Sequence, residues 1–119
     1  MLNLNSIMLA VADAKTMSAF YEKVFAKAPD MTEGDWSGWQ VGSAFFSLGT
    51  HSEAKDAAKE PFRVMYNLET SDVAGEFERI KQAGATVVKE PYDAGENMMI
   101  ATFADPEGNY FQLMSPWKG

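Results

Sequence analysis

The strongest constraint on this chain is an internal repeat. The first half opens with a short apolar run at residues 7–11 and continues with apolar residues spaced as on one face of a helix. The second half restarts the same order with the run at residues 64–68, at an offset of 57. The helical faces comprise Met17, Phe20, Tyr21 and Val24 in the first half and Val73, Phe77 and Ile80 in the second. A duplicated module accounts best for this pattern.

Segments typical of β-strands follow each predicted helix. In the first half they are residues 36–41 and 44–48, joined by a Gly42-Ser43 turn, with a weaker strand near residues 30–33. In the second half they are residues 86–88, 98–103 and 110–114, with the turn Asp105-Pro106-Glu107-Gly108 before the last strand. The order predicts an α+β fold built from two βαβββ modules.

Length and charge limit the organisation and the partners. A chain of 119 residues has room for one domain, which we place at 1–119, with module one at about 1–50, a polar linker at 51–61 and module two at about 62–115. The net charge of −7 disfavours nucleic acid. The sequence has no cysteine, no signal peptide and no long apolar run, so we expect a soluble cytoplasmic protein without a membrane partner.

Three segments resemble a known family. Residues 8–13 (MLAVAD), the pair Phe20-Tyr21 and residues 103–113 (FADPEGNYFQL) are similar to the vicinal oxygen chelate superfamily. That superfamily includes glyoxalase I, extradiol dioxygenases and the fosfomycin- and bleomycin-resistance proteins of antibiotic resistance. The resemblance implies that the two βαβββ modules form a cupped eight-strand mixed sheet with outer helices around a cavity. It also implies a homodimer in which the second copy helps to complete each cavity.

The metal positions of the superfamily carry unsuitable side chains in this sequence. The resemblance assigns the ligands to one position on the first and one on the last strand of each module, which are Ser6, Ser47, Arg63 and Gln112. Divalent metals in proteins need imidazole, carboxylate or thiolate donors, and the cationic guanidinium of Arg63 would repel them. We therefore expect no metal and no cofactor, and we do not expect classical glyoxalase, dioxygenase or fosfomycin-type metal chemistry.

Alternation along the strands predicts which side chains line the cavity. The predicted ligand-binding residues are Ser6, Met8, Phe45, Ser47, Arg63, Met65, Asn67, Tyr110, Gln112, Met114 and Trp39. Methionine and aromatic side chains with a few polar groups suit an apolar or aromatic ligand. The alternatives are that the methionines fill the core, that Ser47 and Gln112 make structural hydrogen bonds, and that Trp39, with Trp36 and Trp117, packs against a second chain.

Of these predictions, the one for Arg63 is the most easily refuted by a structure. If residues 64–68 repeat residues 7–11 in register, the Arg63 guanidinium points into the cavity beside Gln112 and Ser47 and anchors an anionic group of the ligand. The alternative is a salt bridge to Glu60 or Glu69.

Two functions from different classes, and a third simpler one, fit the sequence. The first is a metal-independent protein that sequesters a small molecule. The second is a lyase, isomerase or dioxygenase-like enzyme that uses Tyr110 or Arg63, or a metal held at unexpected positions such as Glu96 and His51. The third is a module that serves only in dimerisation. Because His51 lies in the polar linker, it is otherwise expected to be a solvated side chain.

Overall fold

A computed structural model describes residues 1–116, which form two α-helices, one short 3₁₀ helix and eight strands. The elements are β1 (Ser6–Val11), α1 (Ala14–Phe25), β2 (Met31–Glu33), β3 (Trp36–Val41), β4 (Ala44–Thr50), the 3₁₀ helix (Pro61–Arg63), β5 (Tyr66–Glu69), α2 (Val73–Gln82), β6 (Thr86–Asp93), β7 (Met99–Ala104) and β8 (Tyr110–Met114). The chain divides into unit 1, Met1–Asp56, and unit 2, Ala57–Gly119. The predicted α+β fold of two βαβββ modules is confirmed.

Unit 1 is a four-stranded sheet with α1 packed on one side. The strand order is β1-β4-β3-β2, in which β1 and β4 are parallel and the other pairs antiparallel. The helix begins after Asp13, whose carboxylate accepts hydrogen bonds from the Thr16 backbone N–H at 3.1 Å and its hydroxyl at 2.8 Å. These bonds lower the pKa of Asp13 and satisfy a donor of the first turn. The buried face of α1 carries Tyr21, whose ring lies 4.8 Å from that of Phe46.

Unit 2 repeats this arrangement with α2 on one side of its sheet. The strand order is β5-β8-β7-β6, with β5 and β8 parallel. Asp72 caps α2 by accepting from the Gly75 backbone N–H at 3.0 Å, and Gly84 follows the helix at a φ of 109°, as expected for the predicted left-handed cap. Phe77 on α2 packs against Phe103 at 5.1 Å. In residues 1–116, neither helix is long and apolar enough to cross a membrane.

The register of the strands corrects the alignment of the two halves. Met8 pairs with Ser47 in unit 1, and Asn67 pairs with Gln112 in unit 2. Ser47 and Gln112 in the closing strands are 65 residues apart, and their partners Met8 and Asn67 in the opening strands are 59 apart. The offset of the opening strands is therefore 59 residues rather than the 57 inferred from the sequence. The N-caps Asp13 and Asp72 give the same offset of 59.

The alignment error arises at the start of β5. Residues 64–68 form a continuous apolar pattern, but Pro61 starts a 3₁₀ helix that runs to Arg63, and the strand begins only at Tyr66. Val64 is 82% exposed, so the apolar run includes a side chain that is not in the core. The shift of two residues preserves the alternation, and Asn67 therefore stays on the predicted face.

Candidate functional site

Each sheet has a far face, which we define as the side opposite its own helix. In unit 1, Phe46 and Leu48 are buried on the helix side, so the alternate residues Phe45 and Ser47 lie on the far face. Ser6 pairs with Phe45, and Met8 pairs with Ser47, which places both on the same face of the parallel pair. The structure thus places four of the five site residues predicted in the first module on one face.

Two aromatic rings dominate the far face of unit 1. The rings of Trp36 and Phe45 stack with centroids 6.1 Å apart and an interplanar angle of 27°. Both lie over Gly38, where a Cβ atom would come within 2.4 Å of the Phe45 ring. Met31 lies opposite Gly38 on the next strand, Met8 lies on the other side beyond Ser47, and they are 58% and 70% exposed. Glycine is therefore required at residue 38 because the Phe45 ring occupies the space of a side chain.

Trp39 is not a ligand-binding residue on this face, which corrects the sequence prediction. It pairs with Phe46 on the helix side and is fully buried. Its indole Nε1 donates a hydrogen bond to the Lys27 backbone oxygen at 3.0 Å, and its ring lies 5.5 Å from that of Phe25. A side chain enclosed in the core cannot stack on a ligand or on a second chain. Trp117, the third tryptophan considered for the interface, lies outside the described residues.

The position of Trp36 on the far face could have been predicted from the Gly42-Ser43 turn. A two-residue Gly42-Ser43 connection pairs Val41 with Ala44, and counting back from that pair places Trp39 opposite Phe46. Trp36 is three residues away, so it must point to the other side of the strand.

The far face of unit 2 carries a hydrogen-bonded series of polar side chains. The hydroxyl Oγ1 of Thr102 donates to Oε1 of Gln112 at 3.0 Å, and Nε2 of Gln112 donates to Oδ1 of Asn67 at 2.8 Å. Thr102 is buried and Asn67 is exposed. Tyr110 and Met114 flank Gln112 at alternate positions of β8 and are half-buried. Four of the residues predicted in the second module therefore share one face, and Thr102 is an addition that the sequence analysis missed.

Arg63 does not point into this face, and the predicted anion anchor is wrong. The residue lies in the 3₁₀ helix rather than in β5, and its side chain is 70% exposed. Its guanidinium is 3.6 Å from the carboxylate of Glu60, which was the alternative considered. Met65 precedes β5 and is 38% exposed. The physical reason for both placements is the turn begun by Pro61, which delays the strand by two residues.

A metal ion does not fit the side chains at the superfamily's ligand positions. The strand pairing corrects two of these positions, because Ser47 lies opposite Met8 rather than Ser6 and Gln112 lies opposite Asn67 rather than Arg63. Neither the predicted nor the corrected set contains an imidazole or a carboxylate. The amide oxygens of Asn67 and Gln112 already accept hydrogen bonds. In residues 1–116, no group of three or more His, Cys, Asp or Glu side chains could hold a metal. His51, considered above with Glu96, is exposed and accepts from the Glu53 backbone N–H.

Among the described residues of unit 2, two titratable groups have raised pKa values, Asp105 in the turn before β8 and Tyr66 on β5. Asp105 is buried, and its carboxylate accepts from the backbone N–H groups of Glu107 and Asn109 at 2.9 Å. Burial raises the pKa of Asp105 against the effect of these bonds. Burial, with the charge of Asp105, also raises the pKa of Tyr66, whose ring stacks on Phe111 at 5.6 Å on the helix side. Asp105 therefore holds the turn through its hydrogen bonds, and Tyr66 packs on the helix side, off the far face.

A cleft of about 380 Å³ lies elsewhere in unit 1, between α1 and the turn that joins β2 and β3. Charged side chains of Lys15, Glu22 and Asp35 line it, and a hydrogen bond between the hydroxyls of Ser18 and Ser37 crosses its wall at 3.1 Å. None of the residues predicted for the ligand site lines this cleft.

Comparisons with known proteins agree with this architecture. A similar fold occurs in a glyoxalase/bleomycin resistance protein/dioxygenase family enzyme from Burkholderia phytofirmans PsJN, with 22% identity, coverage of 96% of this chain and 98% of that one, and a TM-score of 0.78. A glyoxalase-related enzyme from Fulvimarina pelagi is similar too, with 15% identity, coverage of 98% of this chain and 89% of that one, and a TM-score of 0.79. TioX from Micromonospora sp. ML1 is also similar (18%, 95% and 98%, 0.73). No curated protein matches significantly. The family model described as a glyoxalase-like domain matches residues 6–114. The chain therefore belongs to the glyoxalase-like domain family.

Proposed function

We propose that this chain is a metal-independent small-molecule-binding protein that takes an apolar or aromatic ligand on the far face of unit 1. The observation that carries the proposal is the stacked pair Trp36 and Phe45 above Gly38, bordered by the exposed Met8. An aromatic antibiotic is one ligand of this class.

The geometry of the two rings supports a binding role. Their positions are constrained because Phe45 fills the space above Gly38 and the Trp36 indole lies close over Gly49, where a Cβ would be 3.3 Å from it. A ligand ring that stacks on a fixed aromatic surface loses little conformational entropy and gains about 0.5–1.5 kcal/mol beyond its buried area. The flexible thioethers of Met8 and Met31 can adapt to the ligand's outline.

The donor chemistry of the family's ligand positions supports metal independence. Elemental analysis of protein purified without a His tag is expected to find substoichiometric Zn, Ni, Fe and Mn. A near-equimolar metal that survives dialysis would contradict this part of the proposal.

The homodimer remains a prediction. Strand β1 is an edge of its sheet, and several apolar side chains of unit 1, among them Leu4 and Met8, are exposed. Trp36 stays a candidate for the interface, whereas Trp39 is excluded by its burial. Light scattering at micromolar concentrations is expected to give about twice the 13.1 kDa of the chain, and a monomer throughout would refute the dimer.

The binding role is tested with indole as an aromatic probe, detected by saturation-transfer NMR. Trp36→Ala is expected to weaken indole binding at least fivefold because it removes the stacking surface. Phe62→Ala is the matched control, since Phe62 is a 63% exposed ring in unit 2, before β5. Equal effects of the two substitutions, or no binding of indole to the wild type, would overturn the proposal.

A further inference from the structure

In this structure the hydrogen-bonded series runs from the buried Thr102 hydroxyl through Gln112 to the exposed Asn67 amide. A hydroxyl can donate or accept, but an amide oxygen only accepts and an amide nitrogen only donates. Because Gln112 accepts from Thr102 and donates to Asn67, the Asn67 oxygen is used as an acceptor. The group that remains is the Asn67 amide nitrogen, Nδ2, and in residues 1–116 it has no acceptor.

The exposed end of the series is therefore an oriented donor. Thr102 is buried at its inner end, and Gln112 is held from both sides, so the Asn67 amide is fixed through its oxygen rather than free to turn. A donor that is already oriented binds an acceptor with little further ordering.

The charges on this face favour a neutral acceptor over an anion. Glu69 is two residues from Asn67 on the same side of β5, at about 7 Å, whereas Lys89 is three strands away, at about 14 Å. The Lys89 ammonium also lies over the Tyr92 ring at 4.6 Å. Of these two charges the nearer to the donor is the Glu69 carboxylate, which repels an anionic ligand.

The neighbours of Gln112 fit an apolar or aromatic body. Tyr110 and Met114 are half-buried on the same face and present a ring and a thioether on either side of the amide. We infer that the far face of unit 2 binds a neutral aromatic compound through a carbonyl oxygen that accepts from Asn67 Nδ2. This inference rests on the proposed small-molecule-binding function, extends it to a second surface, and names the chemical class of ligand for that surface.

Three naphthalene probes of similar shape test the inference by calorimetry or ligand-observed NMR: naphthalene-1-carboxamide, naphthalene-1-carboxylate and 1-methylnaphthalene. The wild type is expected to bind the carboxamide at least tenfold more tightly than the other two. Asn67→Asp removes the donor and adds a negative charge, so it should abolish that preference. Asn3→Asp, an exposed site in unit 1 with the same change of charge, is the control and should leave the affinity within twofold.

Thr102→Val tests whether the series positions the donor. Thr102 is a positioning residue in this scheme, so its loss should weaken the carboxamide severalfold while leaving 1-methylnaphthalene unchanged. Preference for the carboxylate, or retention of the carboxamide preference in Asn67→Asp, would overturn the inference and leave the proposed function intact. Failure of all three probes and of indole to bind would overturn both.

Discussion

A row of four far-face positions, one on each strand, crosses each sheet, and the side chains of the two rows differ in chemistry. In unit 1, strand pairing aligns Met8, Ser47, Gly38 and Met31, which we call the apolar row. In unit 2 the corresponding positions are Asn67, Gln112, Thr102 and Lys89, which we call the polar row. The two helix sides, by contrast, are alike, with Phe46 and Phe111 at matching buried positions. The repeat therefore preserves the core and differs on the far faces.

This difference indicates where the two modules have specialised. Core positions are held by packing, so either module needs apolar groups against its helix. Far-face positions face no such demand, and their side chains can diverge toward a ligand. In unit 1 the rings of Trp36 and Phe45 beside the apolar row offer a stacking surface, and in unit 2 the polar row offers directed hydrogen bonds.

The largest expected effect tests the distinction between helix side and far face. Trp39→Ala should destabilise the fold by about 3–5 kcal/mol because it leaves a cavity in the core and an unpaired Lys27 carbonyl. Trp36→Ala should cost about 1 kcal/mol, since its ring is only half-buried and its main contact is the stack on Phe45. Urea unfolding measures both, and equal losses would refute the assignment of the two tryptophans.

An intermediate effect is expected where valine replaces the third residue of each row. Gly38→Val should destabilise by about 1–3 kcal/mol, because the new side chain displaces the Phe45 ring. Thr102→Val keeps the shape of the side chain and removes one hydrogen bond to Gln112, which should cost about 1 kcal/mol. Chemical denaturation measures the loss of unfolding free energy in both variants, and a smaller loss for Gly38→Val than for Thr102→Val would contradict this prediction.

The smallest effect concerns Asp105, which is buried in the turn before β8 of unit 2. A carboxyl whose pKa is raised on folding stabilises the fold most when protonated, and that contribution is lost as the pH rises through the raised pKa. The wild type should therefore lose stability relative to Asp105→Asn as the pH rises from about 4. A difference in unfolding free energy that does not change with pH, or that changes in the opposite direction, would contradict this.

The architecture could be predicted from the sequence because it depends on local signals. Helical spacing and the turns at Gly42 and Gly108 define most elements, and β3 and β8 begin and end where expected. Two strands differ from the prediction: β6 continues to Asp93 instead of ending at Val88, and β5 begins late because Pro61 changes the local conformation in a way that an apolar pattern does not reveal. The misplacement of Arg63 follows directly from that error.

The far faces were predicted less completely, because their properties depend on pairing between strands. Alternation along single strands places Phe45, Asn67 and Gln112 correctly. The role of Thr102 becomes visible only when β7 is aligned with β8, and that of Gly38 only when its position beneath the Phe45 ring is known. Such relations depend on the pairing register of the strands, and in the sequence only the turns indicate that register.

The most direct test of the account is an NMR titration of side-chain N–H resonances with naphthalene-1-carboxamide in the presence of EDTA. Shifts are expected for the Asn67 side-chain amide in unit 2 and, as a separate aromatic surface, for the Trp36 indole N–H in unit 1, while the Trp39 indole N–H, hydrogen-bonded in the core, stays in place. Shifts confined to the cleft beside Lys15 and Asp35, or binding that appears only after a divalent metal is added, would contradict the account.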